Sequence, residues 1–337
     1  MVLCLWEEKK QQMAVIFKQF TTHKRGENDE DIQDSINVNV DNGRFALSDG
    51  VSRSFLPRLL ADILTEAYVN ASVADDFPPK DIVCQFSNRK EAYLSALDDF
   101  SRTLQDIAEE TLKVSAATFV GLEIGPQFVS WKVIGDSCLF IIPDNGNLRC
   151  VCSDETSIDA EGTLNILFGN NPAQIHSDGS ICGQIIYGSS EIENGWYIIM
   201  SDAMSAWFVD RLNNKEDVID KLFALGNNED FEKLVQGEFD ANRLKNDDCS
   251  VIIIHINDNE EIKPVNDNEV IKPVNDEPPA NYFDIEEQDV GNLPNVSLHN
   301  KVQATLSNVT GFIRSFIPNT NKCTRNQKQD ECNKELY

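Results

Sequence analysis

Apolar positions along the chain follow two different periods. Residues 14–20 and 35–40 are rich in β-formers, and the second run alternates before meeting the turn Asp41-Asn42-Gly43. A further strand is predicted at 44–47, running into Ser48-Asp49-Gly50. At 55–69 the period becomes helical, with Phe55, Leu56, Leu59, Leu60, Ile63, Leu64 and Ala67 on one face. Ser54 is placed to cap that helix and Pro57 lies in its first turn. A second long helix is predicted over 88–112, on Tyr93, Leu94, Leu97, Phe100, Leu104 and Ile107. Strand character returns at 116–122, 128–134, 138–142, 181–187 and 196–200. A helical stretch at 205–212 continues toward Phe223, and the last strand is predicted at 249–256. Many strands with two long adjacent helices predict an α+β fold in which helices cover sheet faces.

The pattern ends near residue 256, so one folded unit over 13–256 is expected. IKPVND occurs at 262–267 and again at 271–276, with proline and charge in each copy. Residues 257–280 therefore read as a linker. The remainder, 281–337, reads as a mostly irregular tail. Within it, Leu306, Val309, Phe312, Ile313 and Phe316 could line a short helix at 304–316 that docks on the body or on a partner.

Charge narrows the function. The 337 residues carry 56 acidic and 29 basic side chains, a formal net charge of -27. Such a chain is not expected to bind nucleic acid, whose phosphates need clustered Lys and Arg. No apolar run reaches membrane-spanning length, so no membrane insertion is expected. The start, MVLCLWEEKK, lacks the form of a secretory signal, and nine cysteines without one fit a reducing, cytoplasmic setting. Apart from Cys150 and Cys152 the cysteines are scattered, and no pair of CxxC motifs offers a zinc site.

A few of the acidic residues share a placement. Asp49, Asp202 and Asp247 each adjoin a predicted strand end, Asp34 precedes a strand, and Asp136 lies between two. Strands fix positions well and the adjoining turns expose carboxylates. Gly50 lets its own carbonyl approach a ligand closely. Carboxylates with carbonyls suit hard cations such as magnesium or manganese.

The motifs run in an order that resembles the PP2C family of metal-dependent serine/threonine protein phosphatases, particularly its compact prokaryotic members. They are QDS at 33–35, FALSDGVS at 45–52, ATFVG at 117–121, IGDSC at 134–138, SDA at 201–203 and NDDCS at 246–250. The resemblance implies a four-layer α/β/β/α sandwich of two antiparallel sheets flanked by helices. It implies two or three Mn2+ or Mg2+ ions and a phosphorylated protein as substrate. By analogy Asp49 bridges the two core ions, the Gly50 carbonyl binds one, and Asp202 and Asp247 bind the other. Asp34 reaches the ions largely through water, and Asp136 with Asp202 suits a weaker third ion. The family's early Glu-Asp pair is here Gln33-Asp34 or Glu30-Asp31; the small Ser35 and the following strand favour Asp34. The later Asp-Gly is here Asp202-Ala203.

The residue that steadies substrate phosphate is not fixed by these motifs. Lys24, Arg25 and Arg53 are candidates, and His23 is a candidate general acid. The expected reaction is attack by a metal-activated water on the phosphorus of phosphoserine or phosphothreonine, without a covalent enzyme intermediate. Two alternatives stay open: a catalytically inactive binding module, and a hydrolase of small phosphorylated molecules.

Overall fold

A computed structural model of the chain describes residues 2–6, 13–72, 77–153, 155–159, 163–167 and 172–257. Contacts divide the chain into units 1–263 and 264–337, and all described residues belong to the first. The linker beyond Asn257, the tail and the helix expected at 304–316 lie outside the described residues.

Two strands open the fold, β1 (Val2–Trp6) and β2 (Met13–Thr22), followed by the hairpin β3 (Ser35–Asn39) and β4 (Arg44–Ser48). Three helices come next: α1 (Pro57–Asn70), α2 (Ile82–Ser95) and α3 (Asp99–Leu112). Four strands follow: β5 (Ala116–Ala117), β6 (Phe119–Ile124), β7 (Phe128–Ile134) and β8 (Cys138–Pro143). Short strands β9 (Arg149–Val151), β10 (Glu155–Ile158), β11 (Leu164–Leu167), β12 (Gln174–His176) and β13 (Ile181–Cys182) precede β14 (Ile186–Glu191) and β15 (Gly195–Met200). The described part closes with α4 (Asp202–Asn213), α5 (Val218–Ala224), α6 (Asn228–Asp240) and β16 (Cys249–Asn257).

One sheet has the order β1-β2-β16-β15-β8-β9, the other β14-β7-β6-β4-β3, and every pairing in both is antiparallel. The period-two alternation of side chains sorts each strand between two cores. Ile252, Ile254 and Ile256 of β16 meet Phe45, Leu47, Val120 and Leu122 of the other sheet in the central layer. Val251 and Ile253 face the opposite way, packing with Trp207, Phe208, Leu222 and Phe231 of α4 to α6. On the second sheet Ala46, Phe119 and Ile134 turn outward to Leu60, Ile63, Leu64 and Tyr68 of α1 and Phe86 of α2. The result is the expected α/β/β/α sandwich. Strands buried on both faces explain why 251–254 reads as an unbroken apolar run.

Three local expectations are corrected. The helix expected over 88–112 is two helices, parted where the Asp98 carboxylate accepts the Ser101 backbone N–H (2.8 Å) and starts α3 anew. The apolar spacing across the break is misleading because Phe100 and Ile107 are 61% and 57% exposed. The strand expected at 181–187 is interrupted between β13 and β14. Ser54 does not cap α1: Leu56 precedes it in a left-handed conformation (φ 47), while Pro57 opens the helix as expected. The Ser54 hydroxyl instead donates to the Val51 carbonyl (2.8 Å) and accepts the Ala116 N–H (3.0 Å). Among the described residues no helix is long and apolar enough to cross a membrane.

Candidate metal centre

Five of the expected aspartates sit at one end of the two sheets because each ends or begins a strand there. Asp49 follows β4, and its carbonyl accepts the Thr118 N–H (2.9 Å) while the Ser48 hydroxyl donates to the Thr118 carbonyl (2.6 Å). Gly50 donates its N–H to the Gln33 carbonyl (3.2 Å), and a Cβ at this position would stand 2.8 Å from that oxygen and 2.9 Å from Pro57. Only glycine lets the Asp49 turn fit between these backbones. Asp136 follows Gly135, which has φ +105 and no room for a Cβ beside Thr118 (2.4 Å). The turn is closed by a hydrogen bond of 2.9 Å between the hydroxyls of Ser137 and Thr118. Asp202 opens α4 directly after β15, and Asp247 and Asp248 lead into β16. Ser201 and Ser250 join these two strand ends reciprocally, through Ser201 N–H to Ser250 carbonyl (3.1 Å) and Ser250 N–H to Ser201 Oγ (3.0 Å).

Asp49, Gly50, Asp136, Asp202 and Asp247 line one open cleft of about 610 Å³, together with Arg53 and Lys245. Asp34 is 2% exposed, and among the described residues no donor reaches either of its carboxylate oxygens in full hydrogen-bond geometry. Its backbone is pinned instead, by Arg58 Nη1 donating to the Asp34 carbonyl (2.6 Å). The electrostatics tie these groups together. Burial, then the charge of Asp248, then those of Asp202 and Asp247, push the Asp34 carboxyl up to about 7, although the nearby Ser250 hydroxyl acts in the opposite sense. Asp49 is pushed well above the ordinary carboxylate range, first by burial and then by Asp34, Asp202, Asp136 and Asp247. Packed carboxylates disfavour one another's charge, and a cation relieves them all.

Glu30 and Asp31 lie on the exposed surface, where the Asp31 carboxylate accepts the Asn28 N–H (3.0 Å). His23, Lys24 and Arg25 line a second cleft of about 510 Å³, which shares Lys245 and Asp247 with the first. There Lys24 Nζ is 3.3 Å from Glu27 and Arg25 Nη1 is 3.2 Å from Asp240. His23 Nδ1 is 3.0 Å from the Lys24 carbonyl, and its Nε2 is 3.9 Å from Asp29.

Two residues of the centre escape the sequence reading. Lys245 places its ammonium 2.9 Å from both Asp202 Oδ2 and Asp247 Oδ2. Burial opposes that charge, but the bonds to the two aspartates outweigh it and its pKa lies above the ordinary lysine value. A lysine two residues before a candidate ligand was the available signal. Asp248 is buried and accepts the N–H groups of Lys24 (3.0 Å) and Gln33 (2.8 Å), fixing the segment that carries Asp34. Asp248→Ala strands both donors, so a loss of roughly 2–4 kcal/mol is expected in denaturant unfolding.

The donor set fits hard divalent cations: five carboxylates at one sheet end, one of them buried with no hydrogen bond in full geometry among the described residues, and a glycine carbonyl at the turn. No protein-family model matches the chain, and no curated protein is similar to it. Solved structures are similar at low identity. The catalytic domain of the serine threonine protein phosphatase PstP, in complex with 2 manganese ions, is 17% identical with a TM-score of 0.44, over 72% of this chain and 99% of that one. The Mycobacterium tuberculosis phosphatase PstP/Ppp is 17% identical with a TM-score of 0.42, over 72% and 98%. The phosphatase Stp1 from Staphylococcus aureus is 13% identical with a TM-score of 0.44, over 72% and 94%.

Proposed function

We propose that this chain is a metal-dependent phosphatase of the PP2C type, acting on phosphoserine and phosphothreonine in proteins. The observation that carries the reading is the convergence of Asp34, Asp49, Asp136, Asp202 and Asp247, with only Arg53 and Lys245 as cations among the described residues lining the cleft. In this reading Asp34, Asp49, Asp136, Asp202, Asp247 and the Gly50 carbonyl hold two or three Mn2+ or Mg2+ ions. Bound there, such ions supply an activated water and offset charge on the transferring phosphoryl group. Arg53, exposed at the cleft, is the residue we assign to the substrate phosphate. Lys24, Arg25 and His23 belong to the adjoining cleft, where peptide flanking the phosphoresidue has room. Residues 13–256 are the catalytic unit.

Lys245 occupies two of the assigned ligands and competes for them. Replacing it by methionine is expected to tighten Mn2+ binding roughly three- to tenfold by calorimetry, the modest gain reflecting a partly exposed ion pair. Unchanged or weaker binding would remove Lys245 from the centre.

The substrate class is tested by comparing phosphate release from a phosphothreonine peptide and from free phosphorylated metabolites under one Mn2+ concentration. Faster turnover of the peptide supports the reading. Preference for the metabolites would make the chain a small-molecule hydrolase, and no turnover of either would make it a binding module.

A further inference from the structure

Cys138, Cys150 and Cys152 stand outside the acidic cleft, yet they form the tightest cluster of metal-ligating side chains among the described residues. Their three sulfurs all lie within 4.8 Å of one another. The arrangement follows from strand register. Phe140 pairs with Cys150 and Leu139 with Val151, which sets Cys138 across from Cys152 on the same face of the β8–β9 ladder. Two neighbouring strands therefore hold three sulfurs on a rigid triangle. The face is the one turned to α4, and Cys138 and Cys152 are buried there among Phe140, Leu164 and Phe208, with Cys150 packed partly buried against them. β9 is the edge strand of its sheet, so an ion can enter past Cys150.

We propose that these cysteines form a binding site for one thiophilic metal ion, distinct from the carboxylate centre. Metal–thiolate bonds of about 2.3 Å place sulfurs about 3.8–4.0 Å apart in tetrahedral or trigonal geometry, so closing the triangle needs shifts of well under an ångström. A disulfide would instead bring one pair to about 2.05 Å and leave the third sulfur unused. No histidine or carboxylate joins the cluster among the described residues. An all-sulfur set selects soft or borderline ions such as Cu(I), Zn2+ and Cd2+ and discriminates against Mg2+ and Mn2+. The chain would thus sort cations by hardness, carboxylates at the sheet end and thiolates along β8 and β9. Each thiol that binds gives its proton to water as the sulfur–metal bond forms.

Occupancy has a route to the acidic cleft. The Cys138 thiol donates to the Asp136 carbonyl (3.3 Å), a bond lost when that thiol is metallated. Ser153, next to Cys152, donates its N–H to the Gly135 carbonyl (2.9 Å) and accepts the Gly135 N–H on its hydroxyl (3.0 Å). Both strands that carry the sulfurs therefore hold the Asp136 turn.

The test uses the reduced full chain and two probes. Cd2+ is titrated while thiolate-to-metal charge-transfer absorbance is followed, and Cu(I) is offered from a chromophoric chelator. One equivalent bound with a saturating charge-transfer band is expected, and X-ray absorption at the metal edge should count three sulfurs. Cys150→Ser should remove about a third of the band and weaken binding by at least about tenfold, with the fold verified by circular dichroism. Substitution of the exposed Cys84 and Cys182 by serine, or Asp49→Asn, should leave the band unchanged. Uptake of both ions or of either one supports the site and identifies the class it prefers. Saturable uptake of neither ion, unchanged uptake in Cys150→Ser, or a shell of oxygen and nitrogen overturns it.

Discussion

Asp49→Asn is expected to lower phosphate release from a phosphopeptide by at least about a thousandfold, and at the same time to raise the melting temperature of the metal-free protein. The two effects share one cause. Asp49 is the carboxyl that feels all four of its acidic partners, after burial itself, and it lines the cleft directly. In the proposed reading, removing its charge takes away one of the carboxylates that would hold the ions. It also relieves a repulsion that, among the described residues lining the cleft, Lys245 and Arg53 alone offset with positive charge. Relief of roughly 1–3 kcal/mol corresponds to a few degrees in a unit of this size. Added Mn2+ should stabilise the wild type and not the variant. A merely structural lesion gives the opposite pattern, with activity and metal-free stability falling together. Steady-state phosphate release and thermal unfolding with and without chelator check both halves.

The second large effect is a pH dependence of stability that metal reverses. Asp34 ionises near its ordinary value of 3.8 in the unfolded chain and at about 7 in the folded one. Between those values the folded state holds the extra proton. This contribution is therefore fully present below the unfolded value and is lost as pH rises through the folded one. Metal-free protein should lose about 2–3 kcal/mol from this group between about pH 5 and about pH 8, roughly 5–10 °C in melting temperature. Asp49 acts in the same direction. A divalent ion inverts the logic, since protons then compete with it for the same oxygens. With saturating Mn2+ stability should rise across the same range. Asp34→Asn should flatten the metal-free slope, which separates this group from the general repulsion of a chain with net charge -27. A metal-free melting temperature that rises over this range, or a slope unchanged in Asp34→Asn, would contradict the assignment.

What the sequence revealed and what it hid follow from the range of the interactions. The strands from β2 to β8, β15 and β16 were readable because burial on one or both faces writes itself into the order of residues, as in the run Val251 to Ile254. The acidic centre was readable in part because Asp49, Asp136, Asp202 and Asp247 each mark a strand end. The break before α3 was missed because Phe100 and Ile107 continue a helical spacing while facing solvent. The cap expected of Ser54 failed because the Ala116 backbone, far along the chain, claims its hydroxyl. Lys245 and the third sulfur of the cysteine cluster depend on which segments meet, and spacing carries no record of that. Cys150 and Cys152 stand together in sequence, but Cys138 joins them only through the β8–β9 register.

The central claim is that the aspartate cluster holds divalent ions that hydrolyse phosphate esters. Its most direct test is phosphate release from a phosphothreonine peptide, measured with Mn2+, with Mg2+ and then with excess chelator. Turnover that requires the ion, stops with the chelator and returns when the ion is restored is the result predicted. Folded protein that releases no phosphate with either ion, or releases it equally well in chelator, would contradict it.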